Sequence, residues 1–287
     1  MSKISIFGGS GFLGQHLVNA MKENYDFSFT SHNSNDFLKN SKKIDILQPQ
    51  SYKHILENTD VVINLIGQVD LNLQKFIETN IVGSLNLLKS SIDNNVKKII
   101  LISSINVYGE NKNTPSKETD KLFPLANYGM IKMINEKLYE NFSNLHDIDI
   151  TILRLSGVYG PGKIKGFFPQ LINSIHDKDI IIRPYNDGNH LRDLIYVDDA
   201  VDGIIKSLNY NSSGVSIFNI STGERHSVKD LISITEKLSN TKINVQYIHE
   251  KFDEECIWAN NSKAKDMLDF TPRTSLQDGI KKTLTNR

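Results

Sequence analysis

The sequence has shortages that each exclude a class of protein or site. A single cysteine, Cys256, among 287 residues excludes an internal disulfide framework and a cysteine-rich metal site. We expect Cys256 to be an ordinary, partly buried thiol in a reducing compartment. The eight histidines do not cluster at the spacing of metal ligands, so no metal site is expected.

The sequence also lacks an excess of charge and a long apolar run. Lys plus Arg and Asp plus Glu each total 33, so the formal net charge is zero and no basic field attracts nucleic acid or anionic lipid. No stretch approaches the roughly 20 apolar residues that span a bilayer. The start, Met1-Ser2-Lys3-Ile4, leads into a strand pattern without a signal peptide. We therefore expect a cytoplasmic protein whose partners are small molecules or proteins, and neither nucleic acid nor a membrane.

The hydrophobic pattern predicts an α/β fold. With 39% hydrophobic residues the chain can bury a large core, and several apolar runs are nearly continuous, as in parallel strands covered on both faces. Asp198 is predicted to be an N-cap, and Asp193 is predicted to make turn contacts. The alternative is that the two form a carboxylate pair for acid/base catalysis or metal binding. The predicted strands are residues 4–7, 27–30, 60–67, 98–102, 180–182 and 218–220, and the predicted helices are 15–22, 51–58, 73–94, 128–142, 200–208 and one that opens at 227–230.

A glycine-rich turn, Gly8-Gly9-Ser10-Gly11-Phe12-Leu13-Gly14, joins the first predicted strand to the first predicted helix. Gly8, Gly11 and Gly14 permit a tight turn, close approach of the backbone to a pyrophosphate, and close packing of the helix. The anion would rest on the helix N-terminus. A purely structural turn is the alternative, but the position directly after the first strand favours a dinucleotide site.

The end of the second predicted strand bears on which dinucleotide binds. NAD sites usually place an acidic residue there to hold the ribose 2′-hydroxyl, whereas Ser31, His32 and Asn33 follow this strand and Asp36 comes too late. These polar side chains can donate hydrogen bonds to a 2′-phosphate, so the sequence favours NADP, with NAD possible. A solvated turn is the alternative, because no arginine lies nearby to bind the phosphate.

Two short patterns supply reactive groups. Tyr128 and Lys132 are four residues apart on a predicted helix and therefore share a face, where an ammonium favours the ionised phenol. Ser103-Ser104 follows the strand over 98–102, at the end where open α/β sheets bind ligands, although such a pair is otherwise a turn former. Asp45-Ile46 lies where a loop can reach the adenine edge of the same ligand.

Three motifs in this order and spacing resemble the extended short-chain dehydrogenase/reductase family, which comprises NAD(P)-dependent epimerases, dehydratases and reductases of nucleotide sugars. The resemblance implies a Rossmann-type doubly wound parallel sheet over residues 1–160, with 190–215 returning to it. It also implies a smaller mixed α/β substrate lobe, formed largely by 161–287. The motifs are the glycine turn at 8–14, Ser-Ser-Ile-Asn-Val-Tyr-Gly at 103–109 and Tyr-x-x-x-Lys at 128–132, with further similar segments at 79–84, 153–162, 192–199 and 272–279.

The resemblance also implies roles for individual residues. Ser104 would hydrogen-bond the reacting oxygen, Tyr128 would be the acid/base, and Lys132 would hold the cofactor ribose while lowering the pKa of Tyr128. Arg192 would bind the diphosphate of a nucleotide-sugar substrate. Family members form dimers, so a homodimer through the helices over 73–94 and 128–142 is expected. The other contacts implied are Phe12, Leu13, Leu65, Ile66, Gly67 and Asn80 for the cofactor, and Asn106 and Ser156 for the substrate.

Departures from the family pattern narrow the reaction. Dehydratases resembling this chain follow the catalytic hydroxyl with Asp-Glu, and the reductase-epimerases that make GDP-fucose have a cysteine at the place of Asn106. Ile105 and Asn106 carry no proton-transfer group. Two reactions at C4 of the sugar remain, namely reduction of a nucleoside-diphosphate 4-keto-6-deoxyhexose by NADPH and NAD-dependent 4-epimerisation.

The sequence favours the reductase over the epimerase. The second predicted strand is not followed by an acidic residue, which favours the phosphorylated cofactor that cells use for reduction. Residues 251–257 also lack the phosphate-binding arginine of similar epimerases, and Lys251 would replace it only as a point charge. A non-catalytic NADP-binding regulatory subunit is the alternative from another class.

Overall fold

The computed structural model describes residues 2–32, 41–67, 72–111, 113–211, 213–250 and 256–285. The strands are β1 (Ile4–Phe7), β2 (Phe27–Ser31), β3 (Lys42–Lys43), β4 (Val61–Asn64), β5 (Lys98–Ser104), β6 (Asp149–Leu155), β7 (Gly157–Tyr159), β8 (Leu191–Arg192), β9 (Leu194–Tyr196), β10 (Val215–Ile220), β11 (His226–Ser227) and β12 (Cys256–Ile257). The helices are α1 (Phe12–Met21), α2 (Lys53–Leu56), α3 (Leu73–Ile77), α4 (Gly83–Asp93), α5 (Asn127–Leu145), α6 (Phe167–Asn173), α7 (Val197–Leu208), α8 (Val228–Ser239), α9 (Ser262–Leu268) and α10 (Leu276–Thr285). A π-helical turn, Glu78–Val82, joins α3 to α4, and a 3-10 turn, Ile105–Val107, follows β5.

Seven strands form the central sheet in the order β10-β6-β5-β4-β1-β2-β3, and every neighbouring pair is parallel. The chain runs from β1 to β2 and β3 in one direction, and then from β4 to β5, β6 and β10 in the other. The strand order therefore reverses between β1 and β4, where open α/β sheets bind ligands outside the carboxyl ends of the strands. The Rossmann-type doubly wound sheet predicted from the sequence is confirmed.

Apolar side chains cover both faces of this sheet. In β5, Ile100 and Ile102 belong to the core beneath α1, α7 and α9, whereas Ile99 and Leu101 belong to the core beneath α4 and α5. Since successive side chains in a strand point to opposite faces, a strand that is buried on both sides is apolar at most of its positions. This explains the nearly continuous apolar runs in the sequence.

A second, smaller layer is built mainly from late segments of the chain. Strands β11, β8 and β12 form a mixed three-stranded sheet, and β7 pairs with β9 in parallel. Helices α6, α8 and α10 share an apolar cluster with the tyrosines of β7 and β9. The smaller mixed lobe is thus present. Strand β10, which begins at Val215, lies in the central sheet, although the sequence assigned the residues after 215 largely to the smaller lobe. The exact division into domains stays a prediction.

Several elements differ from their predictions. The prediction of a strand over residues 180–182 is wrong, because Ile182 forms only an isolated bridge to Val245. The helix predicted from 200 begins at Val197 with Tyr196 as its N-cap, so Asp198 lies in the first helical turn and is not the cap. Cys256 is buried rather than partly buried.

A buried lysine binds the end of α7. The ammonium of Lys98 donates to the carbonyl oxygens of Ser207 and Leu208, at 2.7 and 3.2 Å, and to that of Tyr210. The last carbonyls of a helix have no partner within the helix, so Lys98 supplies one from β5. Burial lowers the pKa of Lys98 from 10.5 to about 8.

We expect the free energy of unfolding to rise with pH from 8 to about 9.5, because unfolded lysines still bind protons that folded Lys98 releases. Lys132, whose pKa burial also lowers to about 8, adds to this rise. Urea denaturation across this pH range should show a smaller rise in Lys98→Met than in the wild type. Lys97→Met is the control, because exposed Lys97 pairs with Asp60 and its pKa is raised. Equal rises in the wild type and Lys98→Met would contradict this assignment.

Candidate active site

The glycine turn after β1 lies at the reversal of strand order. Gly8 has φ +87°, and the N–H of Gly11 donates to the Gly8 carbonyl at 3.0 Å. A Cβ on Gly14 would lie 2.4 Å from the Gly8 oxygen, so α1 can pack this close to the turn only with glycine at this position. Residues 12–15, all described, include no acidic side chain, so the N–H groups at the start of α1 suit an anion.

A cavity of about 880 Å³ opens beside this turn, outside the carboxyl ends of β1, β2 and β4. Its volume and its place at the reversal of strand order suit a dinucleotide. The predicted cofactor residues that line it are Gly8, Gly11, Ser31, His32, Asp45, Ile46, Leu65, Ile66 and Gly67. The lining residues that the sequence analysis missed are Ser10, Thr30, Ile44, Leu47, Asn72, Gln74, Lys75, Glu78 and Thr79.

Only some of the missed residues carried a signal in the sequence. Asn72 precedes a helix and caps it, since its side chain accepts from the N–H of Lys75 at 3.0 Å. Gln74 of α3 and Glu78 of the π-helical turn line the cavity through the tertiary position of these elements, for which the sequence carries no local signal. Phe12 and Leu13, two predicted cofactor contacts, pack instead against the apolar cluster of the smaller lobe.

The cavity wall at the end of β2 is polar. Ser31 is buried, and its hydroxyl shares a 3.0 Å hydrogen bond with that of Ser41. His32 is exposed, and Asn33 lies outside the described residues. The register of β3 places Lys43 beside Ser31. Within the described part of this wall, β2 therefore ends without a carboxylate and with a lysine next to it.

Lys132 lies on the buried face of α5 next to the cavity. Its ammonium donates to the carbonyl oxygen of Ile102 at 2.8 Å and lies 5.8 Å from the centre of the Tyr128 ring. A Cβ on Gly67, a residue of the cavity wall, would come within 2.9 Å of the Lys132 Nζ, and Asn80 Oδ1 lies 3.8 Å from the same point. The phenol, the ammonium, Asn80 and the cavity thus meet in one place.

Ser104 reaches this place from the sheet. It ends β5 with 8% of its surface exposed and caps the following 3-10 turn, accepting from the N–H of Asn106 at 3.2 Å. Its hydroxyl also donates to Asn106 Oδ1 at 3.3 Å. This turn touches the start of α5, since a Cβ on Gly129 would lie 2.4 Å from the Asn106 carbonyl oxygen. Gly129 follows Tyr128, so the turn after Ser104 lies against the start of the helix that carries Tyr128 and Lys132, and these three residues make up the candidate catalytic cluster.

Residues 4–221 match the sequence model of the NAD dependent epimerase/dehydratase family. The chain belongs to this family. The resemblance predicted from the three motifs is therefore confirmed, as is the prediction of an enzyme at the level of the family.

Relatives resemble this family member over nearly its whole length. It is 31% identical over 291 residues to a UDP-glucuronate 4-epimerase of Thermodesulfobacterium geofontis, covering 96% of this chain and 88% of that protein. A UDP-glucose 4-epimerase of Thermotoga maritima, solved with UDP-glucose, has a TM-score of 0.89 at 28% identity, covering 99% of this chain and 98% of that chain. A UDP-glucuronic acid 4-epimerase of Bacillus cereus, solved with UDP-glucuronic acid and NAD, has a TM-score of 0.90 with the same identity and coverage.

Burial is the largest influence on the pKa values of Tyr128 and Lys132, the two titratable groups of the candidate active site. It raises the pKa of Tyr128 to about 12 and lowers that of Lys132 to about 8, the latter against the carboxylate of Glu136. In this structure burial outweighs the lowering of the Tyr128 pKa that the sequence predicts from Lys132. The phenol is therefore protonated at neutral pH, and it must ionise before its oxygen can accept a proton.

A buried carboxylate, Asp193, organises the predicted substrate side. It accepts from the N–H groups of Thr222, Gly223 and Ala259 at 3.1, 3.3 and 3.3 Å and from the Thr222 hydroxyl at 2.8 Å. Burial raises its pKa, and these donors oppose the rise. Asp193 directly follows Arg192, so it holds the strand that carries this predicted diphosphate ligand. Its contacts are those of a turn residue, as the sequence predicts.

Two further kinds of feature are absent from the described ranges. There, no helix is both long and apolar enough to cross a membrane. Nor do the histidine, cysteine, aspartate and glutamate side chains of those ranges come together in groups of three that could hold a metal ion.

We expect Gly14→Ala to abolish NAD binding, because the new methyl group would displace the Gly8 carbonyl and open the turn. Titration calorimetry with NAD, and with NADP in parallel, measures this loss. Asn19→Ala is the matched control, since Asn19 is exposed on the same helix. A Gly14→Ala protein that binds either dinucleotide as tightly as the wild type does would show that the turn is not the pyrophosphate site.

Proposed function

We propose that this protein is an NAD-dependent 4-epimerase of nucleotide sugars. The observation that supports the proposal is that Tyr128 and Lys132 lie together on α5, with the Lys132 ammonium next to Gly67 of the cavity wall and the turn after Ser104 packed against the start of the same helix. The 4-epimerases similar to it over nearly the whole chain support this reaction better than the reduction that the sequence favoured. The neighbour from Bacillus cereus, solved with NAD, supports NAD as the cofactor.

The residues present fit the cofactor. The cavity is bordered by the glycine turn and Gly67, and the first turn of α1 carries no acidic side chain, so there is room for a dinucleotide with its pyrophosphate at the helix N-terminus. When bound, NAD supplies a reversible acceptor for the hydride of the sugar carbon. Gly8, Gly11 and the first turn of α1 would hold its pyrophosphate, and Lys132 would hold its ribose.

The side chains of the cluster move the proton. The Tyr128 oxygen takes the proton from the sugar 4-hydroxyl. After the sugar has rotated to present its opposite face, Tyr128 returns a proton to the same oxygen. The Ser104 hydroxyl hydrogen-bonds the same sugar oxygen and keeps it in line with the phenol. Because burial raises the pKa of Tyr128 to about 12, a nearby positive charge is needed to ionise the phenol before its oxygen can accept a proton, and the Lys132 ammonium, 5.8 Å from the ring centre, is the group that would supply this charge.

The substrate contacts proposed at the other end are Arg192, Ser156 and Asn106. Arg192 lies in β8 between β11 and β12, and its guanidinium suits a diphosphate. Ser156 follows β6 at the same edge of the central sheet as Ser104. The Asn106 amide is bound to Ser104 and carries no transferable proton, which argues against a dehydratase.

We expect Tyr128→Phe to reduce the interconversion of UDP-glucose or UDP-glucuronate with its 4-epimer by about 100-fold or more, since the acid/base is removed. Chromatography of the nucleotide sugars after incubation with NAD measures this. Tyr139→Phe is the control, because Tyr139 lies on the same helix and binds Ser84 and Asn64 rather than the cluster. If the wild type instead consumes NADPH with a 4-keto-6-deoxyhexose nucleotide and forms no 4-epimer, the protein is a reductase.

NADP-dependent reduction is a second candidate function, because the cavity wall at the end of β2 is polar and β2 ends without a carboxylate in the described residues. Should NADP be the cofactor, Lys43 is placed beside Ser31 to bind the 2′-phosphate. Lys43→Ala would then weaken NADP binding about tenfold or more without changing NAD binding. Fluorescence titration with both cofactors tests this, and Lys53→Ala, a lysine of α2, serves as the control. Tighter binding of NAD than of NADP, unaltered in Lys43→Ala, would eliminate this candidate.

The homodimer expected from the family resemblance is also a proposal. Its support is that Leu73, Ile77, Val82 and Met130, on the helices expected to pair, are exposed apolar side chains.

A further inference from the structure

The buried face of α5 carries polar side chains at helical spacing. Lys132, Asn135, Glu136 and Tyr139 are exposed by only 4%, 4%, 0% and 0%. Each binds a different element: Lys132 binds the Ile102 carbonyl of β5, Asn135 the Asn80 carbonyl of the π-helical turn, and Tyr139 the Ser84 hydroxyl of α4. Glu136 binds two elements at once.

The Glu136 carboxylate joins α5 to β5 and β6. Arg154 of β6 donates its Nη2 to Oε2 at 2.7 Å, and its Nε to Oε1 and Oε2 at 3.1 and 3.2 Å. The hydroxyl of Ser103, the residue before Ser104, donates to Oε1. Both charges of this pair are buried, with Arg154 exposed by 2%.

The pair extends beneath the catalytic cluster. Arg154 Nη1 donates to the Tyr108 hydroxyl at 2.8 Å, and that hydroxyl donates to Asn219 Oδ1 of β10 at 2.7 Å. A buried ion pair contributes little net stability, because desolvation of both charges offsets their attraction. Its effect here is geometric, since the same carboxylate ties the ends of two strands to one helix.

Glu136 lies near the segments that carry Ser104, Tyr128 and Lys132. Successive side chains alternate along β5, so Ser103, which donates to Glu136, directly precedes Ser104 on the opposite side of the strand. Glu136 is also one helical turn from Lys132, and its charge favours the Lys132 ammonium. The groups facing Lys132 are thus the Tyr128 phenol and the Glu136 carboxylate from α5, the Ile102 carbonyl from β5, and the Asn80 amide.

We propose that Glu136 is a positioning residue for the active site, which fixes Ser104 against Tyr128 and keeps Lys132 in its charged form. Only the kinetic consequence of this inference rests on the proposed epimerase function. The effect on Lys132 is a property of the protein without substrate.

The charge of Lys132 is tested by NMR titration of protein labelled with 13C-lysine, in which the Lys132 signal is identified by its absence from Lys132→Met. The wild-type midpoint should lie at about 8. In Glu136→Gln it should fall by about one pH unit or more, because the facing negative charge is lost. Glu140→Gln is the matched control, since Glu140 lies one turn further along α5 and pairs with Lys137 near the surface.

A second variant covers the case that Glu136→Gln does not fold. In Glu136→Gln/Arg154→Met neither buried charge is left unpaired, so the fold should persist. The Lys132 midpoint should still fall below that of the wild type. A midpoint equal to that of the wild type in either folded variant would overturn the proposal.

The positioning of Ser104 is tested separately by Ser103→Ala, which removes one hydroxyl and leaves the ion pair intact. We expect kcat for epimerisation to fall about tenfold with KM and the Lys132 midpoint unchanged, because only the alignment of Ser104 is disturbed. Ser143→Ala removes a buried hydroxyl at the far end of α5 and is the control. An unchanged kcat in Ser103→Ala would refute the positioning of Ser104. A wild-type protein that is inactive on every UDP-sugar would count against the proposed function. In that case the NMR midpoints would still decide whether Glu136 keeps Lys132 charged.

Discussion

The close approach of α5 to the turn after β5 is the constraint on which the site depends. A Cβ at Gly129 would lie 2.4 Å from the Asn106 carbonyl oxygen, so the helix can begin here only with glycine at this position. This contact brings Tyr128 to the turn that carries Ser104. One helical turn further on, Lys132 enters the space beside Gly67, where another missing side chain leaves room for it. Gly129 and Gly67 therefore permit the two close approaches that place α5 against the turn after β5 and against the cavity wall.

Local patterns in the sequence predicted much of this arrangement. Nearly continuous apolar runs, such as that in β5, predicted a parallel sheet covered on both faces, since only a strand buried on two sides is apolar at every position. The glycine turn and the Tyr128 and Lys132 pair were predictable because each is confined to one turn of chain. Contacts between distant segments were not. Glu136 and Arg154 are 18 residues apart on a helix and a strand, and no periodicity links them.

The pKa of Tyr128 and the choice of reaction show where the sequence analysis was insufficient. A lysine four residues away predicts a lowered pKa, but burial of the phenol outweighs it and raises the pKa to about 12. The preference for a reductase rested on the absence of an acidic side chain at residues 31–33 and of an arginine at residues 251–257, and these segments lie partly or mainly outside the described residues. Similarity to 4-epimerases over nearly the whole chain draws on many more positions and supports the other reaction.

A crystal structure of the protein with NAD and a UDP-hexose tests the central claim most directly. The account predicts the sugar O4 within about 3 Å of both the Ser104 Oγ and the Tyr128 oxygen, the distance at which a proton is transferred. It also predicts the dinucleotide along the glycine turn with Lys132 at its ribose. A sugar bound away from this cluster, or a Tyr128 hydroxyl directed away from the cavity, would contradict the account.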